Sequence, residues 1–267
     1  MKNQLTMDFK MIFILLIYYF ITTTFLHAQE TTPIRDNSFF IEEAFNQETG
    51  VVQHINNLTT SSNFKNLLYT FTQEWPVKSE MHQLSYTIPL IFREGNNRAG
   101  DIFLNYRYQL LQKNNTYLSP RLSIILPTGK TNDGNRNTGV QINIPFSYEL
   151  KKSVAFHLNI GSTHLWANDE EATVQTTLIN YGGSFIWLIN SHINLMTECA
   201  YTNAYSGTSN EVTNAESLIL NPGLRGAINF KNGLQIVPGV SAWFDTINRA
   251  NGFFFYLSFE HSFTKKQ

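Results

Sequence analysis

A strict two-residue alternation of apolar and polar side chains runs through long stretches of this chain. Between positions 139 and 150 one face is wholly apolar, and it consists of Val140, Ile142, Ile144, Phe146, Tyr148 and Leu150. Side chains of a β-strand point alternately to the two sides of a sheet, and strands of soluble proteins usually have only about five or six residues. The alternation therefore predicts strands of about 9–11 residues or more, the length that crosses a bilayer.

Similar alternation recurs along the chain and predicts twelve strands. An even number is expected of a single-chain bacterial barrel. Strands of a soluble β-sandwich also alternate, but here the apolar faces begin or end at Tyr, Phe or His, as strands do where they cross a lipid interface. This feature favours a transmembrane barrel over a sandwich. The predicted strands are 50–57, 64–73, 81–93, 101–112, 117–127, 139–150, 153–165, 174–189, 192–202, 217–230, 233–244 and 253–263.

The composition agrees with a membrane barrel and excludes several other classes. Charged residues make up 15% of the chain, against about a quarter in soluble domains, and aromatic residues make up 14%. Beyond the N-terminus no apolar run reaches the ~20 residues of a membrane helix, so a multi-span helical protein is excluded. The net charge of -1 lacks the basic excess of nucleic-acid-binding domains. The single cysteine, Cys199, excludes an internal disulfide framework.

The first forty-nine residues precede the predicted barrel and divide into two segments. Residues 1–29 have Lys2 and Lys10 before an apolar stretch and are expected to be a signal peptide, cleaved near Ala28. An uncleaved anchor helix is the alternative. Residues 30–49 are expected to be a periplasmic leader, in which 39–47 form a short amphipathic helix at or inside the barrel mouth. The alternative for residues 30–49 is a flexible leader. Residues 50–267 are expected to form the barrel domain.

The lengths of the connections between the predicted strands predict the orientation of the barrel. Connections after even-numbered strands are short, with residues 74–80 as the exception, whereas those after odd-numbered strands are longer. Outer-membrane barrels have short periplasmic turns and longer external loops. Both termini are therefore expected on the periplasmic side. The short connections are 113–116, 151–152, 190–191 and 231–232, and the long ones include 128–138, 166–173 and 203–216.

Charged residues on the polar faces of the strands are expected to point into the barrel lumen. A charge on the lipid face would cost about 2–4 kcal/mol at the bilayer midplane. Two interpretations stay open, a selectivity lining of a solute path or a structural network that fills a narrow barrel. The position of each residue along its strand predicts two pairs, Arg93 with Asp101 and Glu198 with Arg225. The lumen-facing candidates are Arg93, Asp101, Arg107, Arg121, Glu149, Glu198, Arg225 and Glu260.

The sequence contains no convincing catalytic or metal-binding motif. The Gly-Lys-Thr at 129–131 has Ile124 where a phosphate-binding loop requires glycine. Ser162 and His164 lie on one strand face about 7 Å apart along the strand, too far for a catalytic pair, whereas His261 and Ser262 point to opposite faces. The seven histidines show no spacing typical of metal ligands. We therefore expect a protein that is not an enzyme and has no cofactor.

Several short motifs resemble those of a known family. They are Pro-Thr-Gly-Lys at the end of 120–130, the Pro-Phe-Ser-Tyr at 145–148, the Gly-Asp-Ile at 100–102 and the segment 39–47. Together they resemble a bacterial outer-membrane barrel family that is named for a phenol-degradation (MetA) pathway and often labelled a transporter. The resemblance implies an outer-membrane barrel with a role in the uptake of hydrophobic or aromatic compounds. Its motifs mark turns, so it supplies no catalytic residues.

The sequence thus predicts an all-β protein, an antiparallel transmembrane β-barrel of about twelve strands in a bacterial outer membrane. We expect it to pass or bind small hydrophobic or aromatic solutes. A structural or adhesive barrel with a closed lumen is the first alternative, and a lipid-modifying barrel enzyme is the least favoured. The expected partners are outer-membrane lipid, a small solute and, during biogenesis, the barrel-assembly machinery, with no nucleic acid.

Overall fold

The computed structural model describes residue 34 and residues 38–129, 137–167, 174–207 and 212–263. The predicted signal peptide, the Gly-Lys-Thr motif beyond Gly129 and much of three predicted long loops lie outside the described residues. The regular elements within these ranges are β-strands. No helix long and apolar enough to span a membrane occurs among them.

The strand segments form twelve strands, named β1 to β12 here, and three of the strands are interrupted by irregular residues. The interruptions in β4 lie at Gly100 and Asp101 and again at Gln109 and Leu110. The strands are β1 (Val51–Ser61), β2 (Asn66–Val77), β3 (Ser79–Arg93), β4 (Asn96–Ala99, Ile102–Tyr108 and Leu111–Lys113), β5 (Thr116–Leu118 and Arg121–Leu126), β6 (Asn137–Lys151), β7 (Val154–Ala167), β8 (Val174–Asn190), β9 (Ile193–Gly207), β10 (Val212–Gly226 and Ile228–Asn229), β11 (Gln235–Asp245) and β12 (Ala250–Ser262).

The sheet is antiparallel throughout and closes on itself. Each strand pairs with its neighbour in sequence, and β12 pairs with β1 from Val51 opposite Ser262 to Ser61 opposite Gly252. We call this contact between the first and last strands the seam. Closure leaves no open sheet edge, so the strand backbones are hydrogen-bonded as the hydrocarbon layer requires. The predicted twelve-stranded antiparallel barrel is confirmed, with most strand ends within a few residues of their predicted positions.

The two faces of the strands differ as the alternation predicts. On β6, Ile142 is 53% exposed and Ile144 40%, whereas Ser147 is fully buried. On β12, Phe253 and Phe255 are exposed while Phe254 is buried between them. The apolar alternate residues therefore cover the outer surface of the barrel, and the polar ones lie inside.

The connection between β2 and β3 differs from the prediction. Residues 74–77 belong to β2, and Lys78, with a φ of 64°, is the only residue between the two strands. The proline in this segment suggests a break, but the ladder instead shifts register between Pro76 and Val77, where proline is tolerated. The predicted exception at 74–80 is therefore wrong, and the turns at this end of the barrel are uniformly short.

The orientation of the barrel is open to a direct labelling test. With Cys199 replaced by serine, we expect Glu94→Cys, between β3 and β4, to react with a membrane-impermeant maleimide on intact cells. Lys152→Cys, in the turn between β6 and β7, should react only after the outer membrane is permeabilised. Both positions are exposed turns, so they are matched for reactivity. Labelling of Lys152→Cys, and not of Glu94→Cys, on intact cells would show that the barrel has the opposite orientation.

Candidate functional site

Residues 38–48, named the plug here, lie inside the barrel. The predicted helix at 39–47 is absent, and the segment is extended with bends. Its backbone N–H groups are bonded to side chains of the wall instead of to one another, for example Ala44 N–H to Ser147 Oγ at 2.8 Å and Gln47 N–H to Gln83 Oε1 at 2.7 Å. These contacts satisfy donors that a helix would otherwise use, which explains why the helix does not form.

Glu198 of β9 binds the first residues of the plug. Its carboxylate accepts the N–H groups of Phe39, Phe40 and Ile41 at 2.9, 3.1 and 3.2 Å. It also accepts the Asn221 amide at 2.7 Å, and the Glu198 side chain is only 2% exposed. Hydrogen bonds from neutral donors to a carboxylate are about twice as strong as neutral pairs. Three donors from the plug and one from the wall surround this buried carboxylate, so Glu198 is a principal anchor of the plug.

The predicted pair of Glu198 with Arg225 does not form. The register of β9 and β10 places Glu198 opposite Asn221 and Arg225 opposite Asn194, so the two charges lie at different heights in the barrel. Arg225 is buried and its guanidinium lies 3.6 Å from Glu43 Oε1 in the plug. Both residues are buried, and each contacts the plug instead of the other.

Glu42 of the plug lies between two arginines of the wall. Arg107 of β4 donates to Glu42 Oε1, and Arg121 of β5 donates from Nε to Oε2 at 3.0 Å. Arg107 also donates to the Phe45 carbonyl at 3.0 Å, and Asn143 donates to Glu42. Burial by itself would raise the pKa of Glu42, but the Arg121 and Arg107 guanidinium groups lower it to about 2. The carboxylate is therefore ionised at neutral pH and ties the plug to the wall.

A serine, a histidine and a carboxylate meet beside the plug, an arrangement that the sequence analysis missed. Ser147 Oγ lies 2.7 Å from His157 Nδ1, and His157 Nε2 lies 3.8 Å from Glu43 Oε1. In a catalytic triad the serine contacts Nε2 and the acid contacts Nδ1, which is the reverse of this arrangement. Ser147 is also fully buried and accepts the Ala44 N–H. The group therefore acts as a structural network between plug and wall.

Phe39 provides one apolar contact of the plug with the wall. Its ring centroid lies 5.0 Å from that of Phe254 and 5.8 Å from that of Tyr256, both on β12. The opposite side of the ring rests on glycines. A Cβ atom added at Gly223 would lie 2.5 Å from Phe39 Cε2, and one at Gly239 would lie 2.8 Å from the same ring. The ring can occupy this place only because both positions lack a side chain.

Gly223→Ala is therefore expected to weaken the binding of the plug. The added methyl group overlaps Phe39, and such overpacking costs about 1–3 kcal/mol. We expect a higher frequency of conductance steps in planar-bilayer recordings of the refolded protein. Gly226→Ala is the matched control on the same strand, because its Cβ would have no contact closer than 3.6 Å, to the His192 carbonyl. Equal opening frequencies in the two variants would contradict the role of Gly223.

The other predicted lumen residues lie towards the ends of the barrel. Arg93 is exposed at the end of β3 opposite Asn96, and it does not meet Asp101. Asp101 accepts the Gly129 N–H at 2.8 Å. Glu149 accepts the Tyr117 hydroxyl at 3.2 Å near the short turns. Glu260 is half-buried and lies opposite Gln53 and Gln235 in the ladder.

The plug lies between two cavities. The larger, about 460 Å³, extends from the plug towards the long loops and is named the vestibule here. The smaller, about 340 Å³, lies towards the short turns and is bordered by Glu43, Phe45 and Lys151. Phe39, Phe40 and Glu42 form the floor of the vestibule. Its wall is rich in amide side chains, which are Asn57, Asn105, Gln141, Asn143, Asn159 and Asn180.

Three of these amides, Asn57, Asn143 and Asn159, have a buried side-chain oxygen without a hydrogen-bond partner among the described residues. Asn143 is 6% exposed and Asn159 is 7% exposed, and neither Oδ1 has a hydrogen-bond partner among the described residues. A buried acceptor without a partner is costly, commonly about 1–3 kcal/mol. These oxygens are shielded within the wall of the vestibule, and Asn143 Oδ1 packs against Gly161. In the described part of the chain no three His, Cys, Asp or Glu residues converge as metal ligands would.

Comparisons with known proteins agree with this architecture. A family model described as "Putative MetA-pathway of phenol degradation" matches residues 39–259, which include the plug from Phe39 onward. No curated protein matches the sequence.

Solved structures of outer-membrane barrels share the fold at low sequence identity. An outer membrane channel from Pseudomonas putida F1 has a TM-score of 0.57 and 14% identity, over 82% of this chain and 97% of that chain. The NanC porin has a TM-score of 0.54 and 10% identity, over 80% and 99%. The β domain of the Bordetella autotransporter BrkA has a TM-score of 0.50 and 13% identity, over 81% and 100%. The predicted fold of a bacterial outer-membrane barrel is therefore confirmed.

Proposed function

The chain belongs to the family described as "Putative MetA-pathway of phenol degradation", and from this premise we propose that it is an outer-membrane channel for small solutes, closed by its own plug. The observation that carries the proposal is the plug itself, a separate segment held across the lumen beneath an accessible vestibule. A barrel whose lumen were filled by side chains of its own strands would need no such segment. The volume of the vestibule is within the range of pockets that hold small ligands.

The lining of the vestibule favours a small aromatic solute that carries a hydroxyl group. Phe39, Phe40 and Tyr256 offer aromatic surface at the floor, where each favourable ring pair adds about 0.5–1.5 kcal/mol beyond area burial. Rotation of the Asn143 and Asn159 side chains would bring their unpartnered Oδ1 atoms, which are buried in the wall, to a solute hydroxyl group beside this surface. A pure hydrocarbon would leave these amides without a partner. A large polar solute would not pass the plug.

A non-enzymatic role is part of the same proposal. The structural relatives with the higher TM-scores are a channel and a porin, and Ser147 is sealed beneath the plug. A nucleophile must reach its substrate, which this position does not allow.

A structural barrel with a closed lumen is the second candidate. The observation in its favour is the number of buried charged contacts that hold the plug, at Glu42, Glu43 and Glu198. A segment anchored so firmly is typical of a permanent filling as well as of a closed gate. The two candidates differ in whether the plug ever leaves the lumen.

Uptake measurements separate the two candidates. Cells that lack the gene are compared with cells in which the wild-type protein or Asn159→Leu is restored, using radiolabelled phenol and a sugar of similar mass. We expect the wild-type protein to raise phenol uptake more than sugar uptake, and Asn159→Leu to lose most of this preference. Equal uptake of both compounds with and without the protein would contradict the channel and favour the structural barrel.

A further inference from the structure

Closure of the barrel brings two histidines together on its outer surface. His54 of β1 and His261 of β12 are 207 residues apart in sequence, and their Nε2 atoms lie 3.3 Å apart. In the ladder of the seam, His54 lies opposite Phe259 and His261 opposite Val52, so the histidines are diagonal neighbours on one face. Side chains at diagonal positions of adjacent strands are within reach of each other. Both are half-buried.

The separation of the two nitrogens matches that of two ligands on one metal ion. Zinc–imidazole bonds are about 2.0–2.1 Å long, and at a tetrahedral angle two such nitrogens lie about 3.3 Å apart. Imidazole is the common nitrogen ligand for Zn²⁺, Cu²⁺ and Ni²⁺. We propose that His54 and His261 form a binding site for a divalent transition-metal ion on the seam.

Neighbouring groups hold both rings in place, and with the His261 proton on Nδ1 it is His54 that donates from Nε2 in the 3.3 Å contact, so metal binding displaces this proton. His261 Nδ1 lies 3.3 Å from the carbonyl oxygen of Ser262, and because a carbonyl only accepts, Nδ1 carries the proton and Nε2 presents its lone pair. A metal-binding histidine usually donates its other N–H in this way. The His54 ring stacks on Phe71, with centroids 6.2 Å apart and an interplanar angle of 19°. Both rings are partly exposed, which leaves the remaining coordination positions of the ion to other donors.

The site differs from the other ring pairs of the outer surface. His82 also lies on the outside of the barrel, but its Nδ1 contacts the Tyr106 hydroxyl at 2.7 Å and the next ring is that of Tyr108. The rings beside His82 are tyrosines, which supply no second nitrogen ligand. A metal ion at His54 and His261 would connect the first and last strands, the contact of greatest sequence separation in the barrel. Its binding would therefore stabilise the closed barrel over any state in which the seam is open.

Zinc titration of the full chain tests the site. The protein is refolded in detergent without a polyhistidine tag, and Zn²⁺ binding is measured by isothermal titration calorimetry. We expect one site of micromolar affinity in the wild-type protein and in His82→Gln, the matched control. We expect at least about tenfold weaker binding in His54→Gln and in His261→Gln, because each loses one of two ligands.

Thermal unfolding provides a second measurement that does not depend on the heat of binding. Zinc should raise the unfolding temperature of the wild-type protein and of His82→Gln, a chelator should reverse the increase, and both seam variants should show none. Heat-modifiable migration on gels reports whether each variant is folded before the titration. Absence of zinc binding in the folded wild-type protein would overturn the proposal. Unchanged binding in either seam variant, or equal loss in His82→Gln, would overturn it as well.

Discussion

A chain that lacks residues 38–48 should conduct ions through an open barrel, with a single-channel conductance about tenfold above that of the full-length protein. Deletion of the plug joins the vestibule to the cavity at the short turns, and a twelve-stranded barrel without a filling segment is wide enough for hydrated ions. The strands pair with one another and not with the plug, so the barrel should still fold. Planar-bilayer recordings of the refolded protein measure the effect.

A replacement variant controls for the change in chain length. In it the same residues are exchanged for a glycine-serine linker of equal length, which keeps the backbone N–H groups and the connection to β1 but removes every side chain of the plug. This variant should open more often than the full-length protein, because it lacks the contacts of Phe39 and Glu42 with the wall. A deletion variant that stays closed would show that the external loops, and not the plug, close the barrel.

Glu42→Ala is the point variant with the largest expected effect. It leaves the buried guanidinium group of Arg107 and the partly exposed one of Arg121 without their carboxylate, and breaking a buried ion pair costs about 3–5 kcal/mol. Since the plug can leave the lumen while the strands stay paired, this cost should appear as release of the plug before the barrel unfolds. Bilayer recordings should show long open periods. The free energy of unfolding of the barrel, measured in urea, should change little.

The control for this prediction comes from the same segment. Glu48→Ala removes a carboxylate of equal charge that is exposed, so the plug should stay in place. A double-mutant cycle of Glu42→Ala with Arg107→Ala should give a coupling of several kcal/mol in the free energy of plug release, taken from the open probability in bilayer recordings. The coupling is expected because the two residues contact each other. Additive effects of the two substitutions would contradict the ion pair as an anchor.

The sequence predicted the barrel well because the signal is local. Alternation over a dozen neighbouring residues assigns each strand and its outer face, as for Val140 to Leu150 on β6. The prediction for 74–80 was wrong because a proline within a strand was interpreted as a turn. In the structure Pro76 belongs to β2 and lies at a register shift. Alternation also placed Arg107, Arg121, Glu198 and Arg225 inside the barrel. It did not identify their partners, because the strand register and the contents of the lumen are not local properties.

By itself, then, the sequence determined the number of strands, the closed antiparallel sheet and the separation of an apolar outside from a polar inside. Only the tertiary structure decided that residues 38–48 form an extended plug and not a helix. Phe39 contacts a carboxylate 159 residues away, and Glu42 contacts an amide 101 residues away. Likewise His54 and His261 meet only because β12 pairs with β1. Helix propensity in 39–47 depends on near neighbours, whereas these contacts arise only when the closed wall presents its side chains to the segment inside it.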